Sequence, residues 1–127
     1  MSVAYFIVLD TDDVDFDTFV NGKHVAAVFD DLIAFCQQHS LNTIDDFTSQ
    51  DVSDFLDEFE FDELASPPVQ WFAAAHGISW LEQLLQTLKS EAPNFASQAV
   101  IDDLDEYLSV LKQANQVGAS WHFELDF

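Results

Sequence analysis

The chain has 127 residues, 49% of them hydrophobic and 13 of them Phe, set against 24 Asp and Glu, three lysines (Lys23, Lys89, Lys112) and no arginine. A formal net charge of −21 repels phosphate backbones and anionic lipid, which excludes direct binding to nucleic acid or to a bare membrane surface, and the lack of guanidinium groups removes the usual bidentate anchors for phosphate and carboxylate ligands. Disordered acidic chains are poor in aromatics; this one is rich in them, and its length fits one core, a single acidic domain over residues 1–127.

The single cysteine, Cys36, excludes an internal disulfide. No basic region followed by an apolar stretch and a cleavage site opens the chain. The apolar run Val3 to Leu9 is too short for a signal core or a membrane span. The expected location is therefore cytoplasmic.

Residues 3–9, VAYFIVL, form a short continuous apolar run, which predicts a strand covered on both faces. A charged turn or loop, residues 10–17, follows. Starting at Asp13, the stretch DVDFDTFVNGKH sets Asp13, Asp15 and Asp17 at the first, third and fifth positions of an EF-hand-like loop. It then departs from that pattern: Thr18 replaces the glycine of the sharp turn, and His24 stands where the bidentate glutamate belongs. What remains is loose cation binding by the aspartates.

A helix is predicted over residues 23–39, where Val25, Val28, Phe29, Leu32, Phe35 and Cys36 recur at helical spacing as one apolar stripe. Cys36 and His39 form a C-x-x-H pair, which is half a zinc site or a thiol–imidazole pair. Cys36 also lies in the apolar stripe, as a buried structural thiol would, and no second pair completes a tetrahedron.

The stretch 45–63 is the most acidic. It carries Asp45, Asp46, Asp51, Asp54, Asp57, Glu58, Glu60, Asp62 and Glu63 with no compensating base. A short helix is predicted around residues 50–59, capped by Thr43 or Ser49, with Val52, Phe55 and Phe59 inward. On such a helix Asp54, Asp57 and Glu58 share a face, and like charges at that spacing weaken an isolated helix. Ser66-Pro67-Pro68 then marks an internal hinge, and residues 69–73 read as extended. Trp71, Phe72 and Trp80 flank the hinge, as core anchors or as the walls of a pocket.

Ser79-Trp80-Leu81-Glu82 has the capping-box pattern. It predicts a helix opening there and running to about residue 90, with Leu81, Leu84, Leu85 and Leu88 on one side, ended by Ala92-Pro93-Asn94. The last helix is expected over residues 97–115, with Val100, Ile101, Leu104, Leu108 and Leu111 inward and Tyr107 at the margin. Asp102, Asp103, Asp105 and Glu106 in its first turns and Lys112 near its end complement the helix dipole. Gly118 marks the stop. Trp121, Phe123, Leu125 and Phe127 then alternate with His122, Glu124 and Asp126, the period of a half-buried strand. The fold class is α+β, dominated by helices, with a small sheet that includes the N- and C-terminal strands.

Three segments carry a resemblance: Phe16-Asp17-Thr18-Phe19-Val20-Asn21-Gly22-Lys23, the stretch from Trp71-Phe72 to Gly77-Ile78, and Trp121-His122-Phe123. Together they resemble small uncharacterised bacterial proteins of no assigned activity, and the resemblance implies no catalytic residues.

The chain contains no P-loop, no G-x-G-x-x-G and no G-x-S-x-G among its three glycines, so phosphate-cradling loops are absent. No catalytic, cofactor-binding or metal-binding residue is assigned, and no cofactor is expected. Paired carboxylates carry no information where acids are everywhere. The reading that follows is a non-enzymatic interaction protein whose acidic surface binds a basic protein partner; an inhibitor, an immunity-type protein and a nucleic-acid mimic are its subtypes. The alternative is a small metal-dependent or cryptic enzyme using carboxylates near residues 10–17 with His24. A third reading makes the acidity a matter of solubility or host adaptation alone.

Overall fold

The computed structural model describes residues 4–11, 13–18, 20, 22–49 and 70–126. The expected helix over 50–59, the Ser66-Pro67-Pro68 hinge and Val69 lie outside the described residues. So do seven of the nine acidic candidates: Asp51, Asp54, Asp57, Glu58, Glu60, Asp62 and Glu63.

The architecture is α+β. In chain order the elements are β1 (Ala4–Leu9), α1 (Lys23–Ala27), α2 (Phe29–Gln38), a 3-10 turn η1 (Ile44–Phe47), β2 (Phe72–Ala73), α3 (Ala74–Glu91), α4 (Gln98–Gln116) and β3 (Ser120–Asp126). The three strands form one antiparallel sheet in the order β1-β3-β2, so the last strand of the chain is the central one. Leu9 pairs with Trp121 and Ala4 with Asp126, while Phe72 meets Trp121 from the other side. The two terminal strands share a sheet as their apolar patterns predict. Among the described residues no helix is long and apolar enough to cross a membrane.

Alternation decides which face of the sheet is inward. Tyr5, Ile7, Trp121 and Phe123 are buried, whereas Ala4, Phe6 and Val8 are only half-buried. β1 is thus an edge strand with one well-covered face, where the continuous apolar run suggested two. The inward face meets the helices through aromatic contacts. Phe123 takes Tyr107 edge-on at 5.0 Å and Tyr5 at 6.1 Å. Trp121 stacks on Phe47 at 5.3 Å. Buried polar ends are satisfied: the Trp121 indole N–H donates to the Ala73 carbonyl at 3.2 Å and the Trp80 indole to the Asn42 carbonyl at 2.6 Å. The Tyr107 hydroxyl donates to the Tyr5 carbonyl at 2.7 Å. Tyr107, expected at the helix margin, is therefore central to the core.

The stretch predicted as one helix over 23–39 is two. The chain leaves helical dihedrals at Val28 (φ −111°, ψ 22°), whose N–H closes a tight bond on the Val25 carbonyl at 3.2 Å. A β-branched residue holds helical geometry weakly, and the start of α1 is fixed from outside. Gly22 precedes α1 and has no side chain to cap it. Instead, Asp103 of α4 accepts from the backbone N–H groups of His24 at 3.1 Å and Val25 at 3.3 Å. The carboxylate is 4% exposed, so it neutralises two orphan donors from a distant helix. Removing it would leave those donors without an acceptor at a cost of about 1–3 kcal/mol. At the far end, α2 closes in a Schellman motif. Leu41 N–H reaches the Cys36 carbonyl at 2.8 Å and Ser40 N–H the Gln37 carbonyl at 3.3 Å, with Ser40 left-handed at φ 59°.

The capping-box expectation at Ser79 is overturned. The third helix begins five residues earlier, at Ala74, and Ser79 lies within it. Ala74 and Ala75 are strong helix formers, and the Ala73 carbonyl is held by Trp121, so tertiary contact starts the helix where no local cap does. Gly77 then falls in the second turn, against the sheet. A Cβ there would collide with the Trp121 ring and meet Leu111 Cδ1 at 2.6 Å. Gly77 is thus a close-approach residue, which lets α3 lie on the sheet and on α4. Gly77→Ala is expected to destabilise the fold by about 1–3 kcal/mol through overpacking, although alanine is the better helix former. A urea melt checks this; an unchanged or raised midpoint would show that the helix can back away from Trp121 without loss.

Candidate interaction surface

Of the nine acidic candidates, Asp45 and Asp46 fall among the described residues, on the turn η1. Ile44 and Phe47 of that turn are buried, at 0% and 7% exposure, and this anchors the turn so that Asp45 and Asp46 are exposed between them. Asp46 has a structural role as well. Its Oδ2 accepts from the Thr43 backbone N–H at 2.9 Å and from the Asn42 amide at 3.3 Å. Thr43 thus opens η1, not the predicted helix over 50–59. Asp45 carries no such bond among the described residues.

Thr48, Ser49 and Gln70 meet the central strand at one place. Ser49 N–H donates to the Phe123 carbonyl at 3.1 Å, Thr48 forms a parallel bridge to Phe123, and Gln70 N–H donates to Ser49 Oγ at 2.8 Å. Beside this junction Trp71 is 43% exposed, while Phe72 packs on the core and Trp80 lies within it. The aromatics at the expected hinge therefore divide: Trp80 is a core anchor, and Trp71 reaches the surface.

A groove of about 470 Å³ adjoins Asp46, lined by Asn42, Phe47, Phe72, His76, Ser79 and Trp80 among others. Ser79, His76 and Asp46 line it together, but no hydrogen bond joins them. The groove is a polar and aromatic concavity.

The described residues of the 10–17 loop and His24 have these surroundings. Asp10 Oδ1 accepts from Ser120 N–H at 3.0 Å, extending the β1–β3 pairing, while Asp13, Asp15 and Asp17 are exposed. His24 turns to α4, its Nδ1 standing 3.3 Å from Asp103 Oδ2. Cys36 is fully buried, and the His39 ring packs on Phe35 at 4.4 Å. Among the described residues no group of three or more His, Cys, Asp and Glu side chains is arranged to hold a metal ion.

Two polar residues, Asp103 and His122, are buried. Asp103 stands three residues after Val100 and four before Tyr107, within the inward arc of α4. That spacing marks an inward position, whereas the charge alone points to dipole complementarity. His122 is 1% exposed, although strand alternation assigns it to the outer face. Its Nδ1 lies 2.9 Å from the Gln70 carbonyl and its Nε2 2.7 Å from Glu124 Oε2. Trp71 lies against the ring at 4.3 Å. Nothing in the period-2 pattern distinguishes it from an exposed strand histidine.

No family model, no curated protein and no solved structure matches the chain.

The carboxylates of η1 act on the core beneath them. Burial, and then the charge of Asp46, push the Cys36 thiol up from 9.0 to about 11. Burial and then Asp45 raise the Tyr5 phenol above its ordinary range. Burial, followed by Asp103, Tyr5 and Glu106, does the same to Tyr107. In each case the unfolded chain releases the proton before the folded one does. Stability from these groups is therefore full below about pH 8.5 and falls as pH rises; the Cys36 share levels off once the folded thiol also ionises, at about 11. A thiol reagent at about pH 8 is expected to modify Cys36 no faster than the chain unfolds, because the thiolate is the nucleophile and the site is closed. A rapid burst of labelling in native buffer would contradict this.

Proposed function

We propose that the protein is a non-enzymatic interaction protein whose acidic surface binds a basic protein partner. The observation that carries this reading is the charge balance itself: 24 acids against three lysines, for a net charge of −21 on a chain with a full aromatic core. Among the acidic residues whose side chains are described, all except Asp103 and Glu124 are exposed, so the charge is presented to solvent. A surface of this kind associates quickly with a complementary one and loses affinity as salt rises. The acidic stretch 45–63 is the proposed docking face. Asp45 and Asp46 are exposed at its start, and Trp71 offers an aromatic surface near its end, of the kind that anchors protein interfaces and accepts cations on its face.

The test is capture of one defined basic protein at low ionic strength, followed by measurement of its affinity for three forms: the native chain, the triple variant Asp54→Lys, Asp57→Lys, Glu58→Lys, and an unrelated acidic protein of matched charge. Specific docking predicts that the triple variant loses binding by about tenfold or more and that the matched control does not bind comparably. Equal binding by the acidic control, or retention by the triple variant, would leave the charge as a solubility property. The same self-repulsion predicts that moderate salt raises the melting temperature of the free protein.

A further inference from the structure

We propose that His122 and Glu124 form a one-proton clasp that ties the Gln70–Trp71 segment to the central strand, and that loss of this proton releases the segment. The Gln70 carbonyl, 2.9 Å from His122 Nδ1, can only accept, so Nδ1 carries a hydrogen. Nε2 stands 2.7 Å from Glu124 Oε2. One proton must lie between these two atoms, either on the imidazolium or on the carboxyl. A neutral imidazole beside an ionised carboxylate would bring two lone pairs face to face at that distance. The other tautomer only moves the conflict to Gln70. With the ring 1% exposed, bulk water does not reach it to relieve the mismatch, and a buried polar group without a partner is costly.

The ring lies among aromatic, apolar and acidic neighbours. Trp71 lies against the imidazole at 4.3 Å, a placement that stabilises a cation. On β1 the cross-strand neighbours are Val8 opposite His122 and Phe6 opposite Glu124. Asp10, at the end of that strand, accepts from Ser120 N–H. Beyond the pair itself, the charged group placed next to it on the neighbouring strand is Asp10, just past β1, and it is acidic. The Gln70–Trp71 segment contributes none. The three lysines stand on α1, α3 and α4. Gln70 is also bonded to Ser49, and Ser49 to Phe123, so the clasp completes a ring of bonds around the junction.

The test uses the full chain with nitrogen-15 histidine and follows the His122 ring nitrogens across about pH 5 to 9. Amide hydrogen exchange at Gln70 and Trp71 is read in the same samples. The expected result is a doubly protonated ring, or a ring bonded to a protonated carboxyl, at low pH. As the proton leaves, exchange at Gln70 and Trp71 should rise about tenfold beyond its intrinsic pH dependence, as loss of a charged hydrogen bond implies. In Glu124→Gln the carboxamide N–H donates to neutral Nε2 without a labile proton, so protection at Gln70 and Trp71 should persist and no longer follow pH. The clasp is overturned if the pair loses its proton with no change at Gln70 and Trp71, or if Glu124→Gln shows the same pH-dependent release as the native chain.

Discussion

The structure depends on the inward face of the central strand. Trp121 and Phe123 are both fully buried, and between them they touch Tyr5, Phe47, Phe72, Trp80 and Tyr107, while Gly77 leaves room for the Trp121 ring. β1, η1, β2, α3 and α4 therefore all meet at two side chains of β3. The pairing partners of β3 are far away in sequence, at residues 4–9 and at Phe72 and Ala73. Such non-local contacts incur chain entropy before they return any stability. An aromatic pair that buries large area at few rotatable bonds is a physical answer to that cost.

Around this centre the polar groups act as long-range ties. Asp103 caps α1 from α4, Tyr107 reaches the β1 backbone, and Trp80 and Trp121 each hold a carbonyl at the start of another element. These ties explain what the sequence made legible and what it did not. The terminal strands and the last helix could be read because their apolar periods are set by burial, which is also what folds them. Ser97 caps α4 in the ordinary local way, its Oγ accepting from Val100 N–H. Where the structure departs from the reading, a distant partner has replaced a local signal. The box pattern at Ser79 lies inside a helix that the sheet starts earlier, and the cap of α1 comes from Asp103, 79 residues away from His24. His122 occupies an outward strand position yet is buried by contacts with Gln70, Trp71 and Glu124. Asp45 and Asp46 are exposed, and the role of Asp46 as a cap for Thr43 is not visible in the charge pattern.

The same arrangement accounts for how so acidic a chain stays folded. Mutual repulsion of carboxylates opposes compaction, and the buried aromatic and aliphatic cluster opposes unfolding. The exposed acids are kept at the periphery by apolar neighbours that point inward, as Ile44 and Phe47 do for Asp45 and Asp46. Among the described residues the one deeply buried acid is Asp103, and it is compensated by two backbone donors and His24.

Native-state hydrogen exchange tests the central role of β3 most directly. The amides of the β1–β3 ladder around Ile7 and Phe123 are expected to be the slowest in the molecule, exchanging only when the whole chain unfolds. If amides in the middle of α3 or α4 stay protected while that ladder exchanges through a lower-energy opening, the helices hold together without the strand, and the account given for the core is wrong.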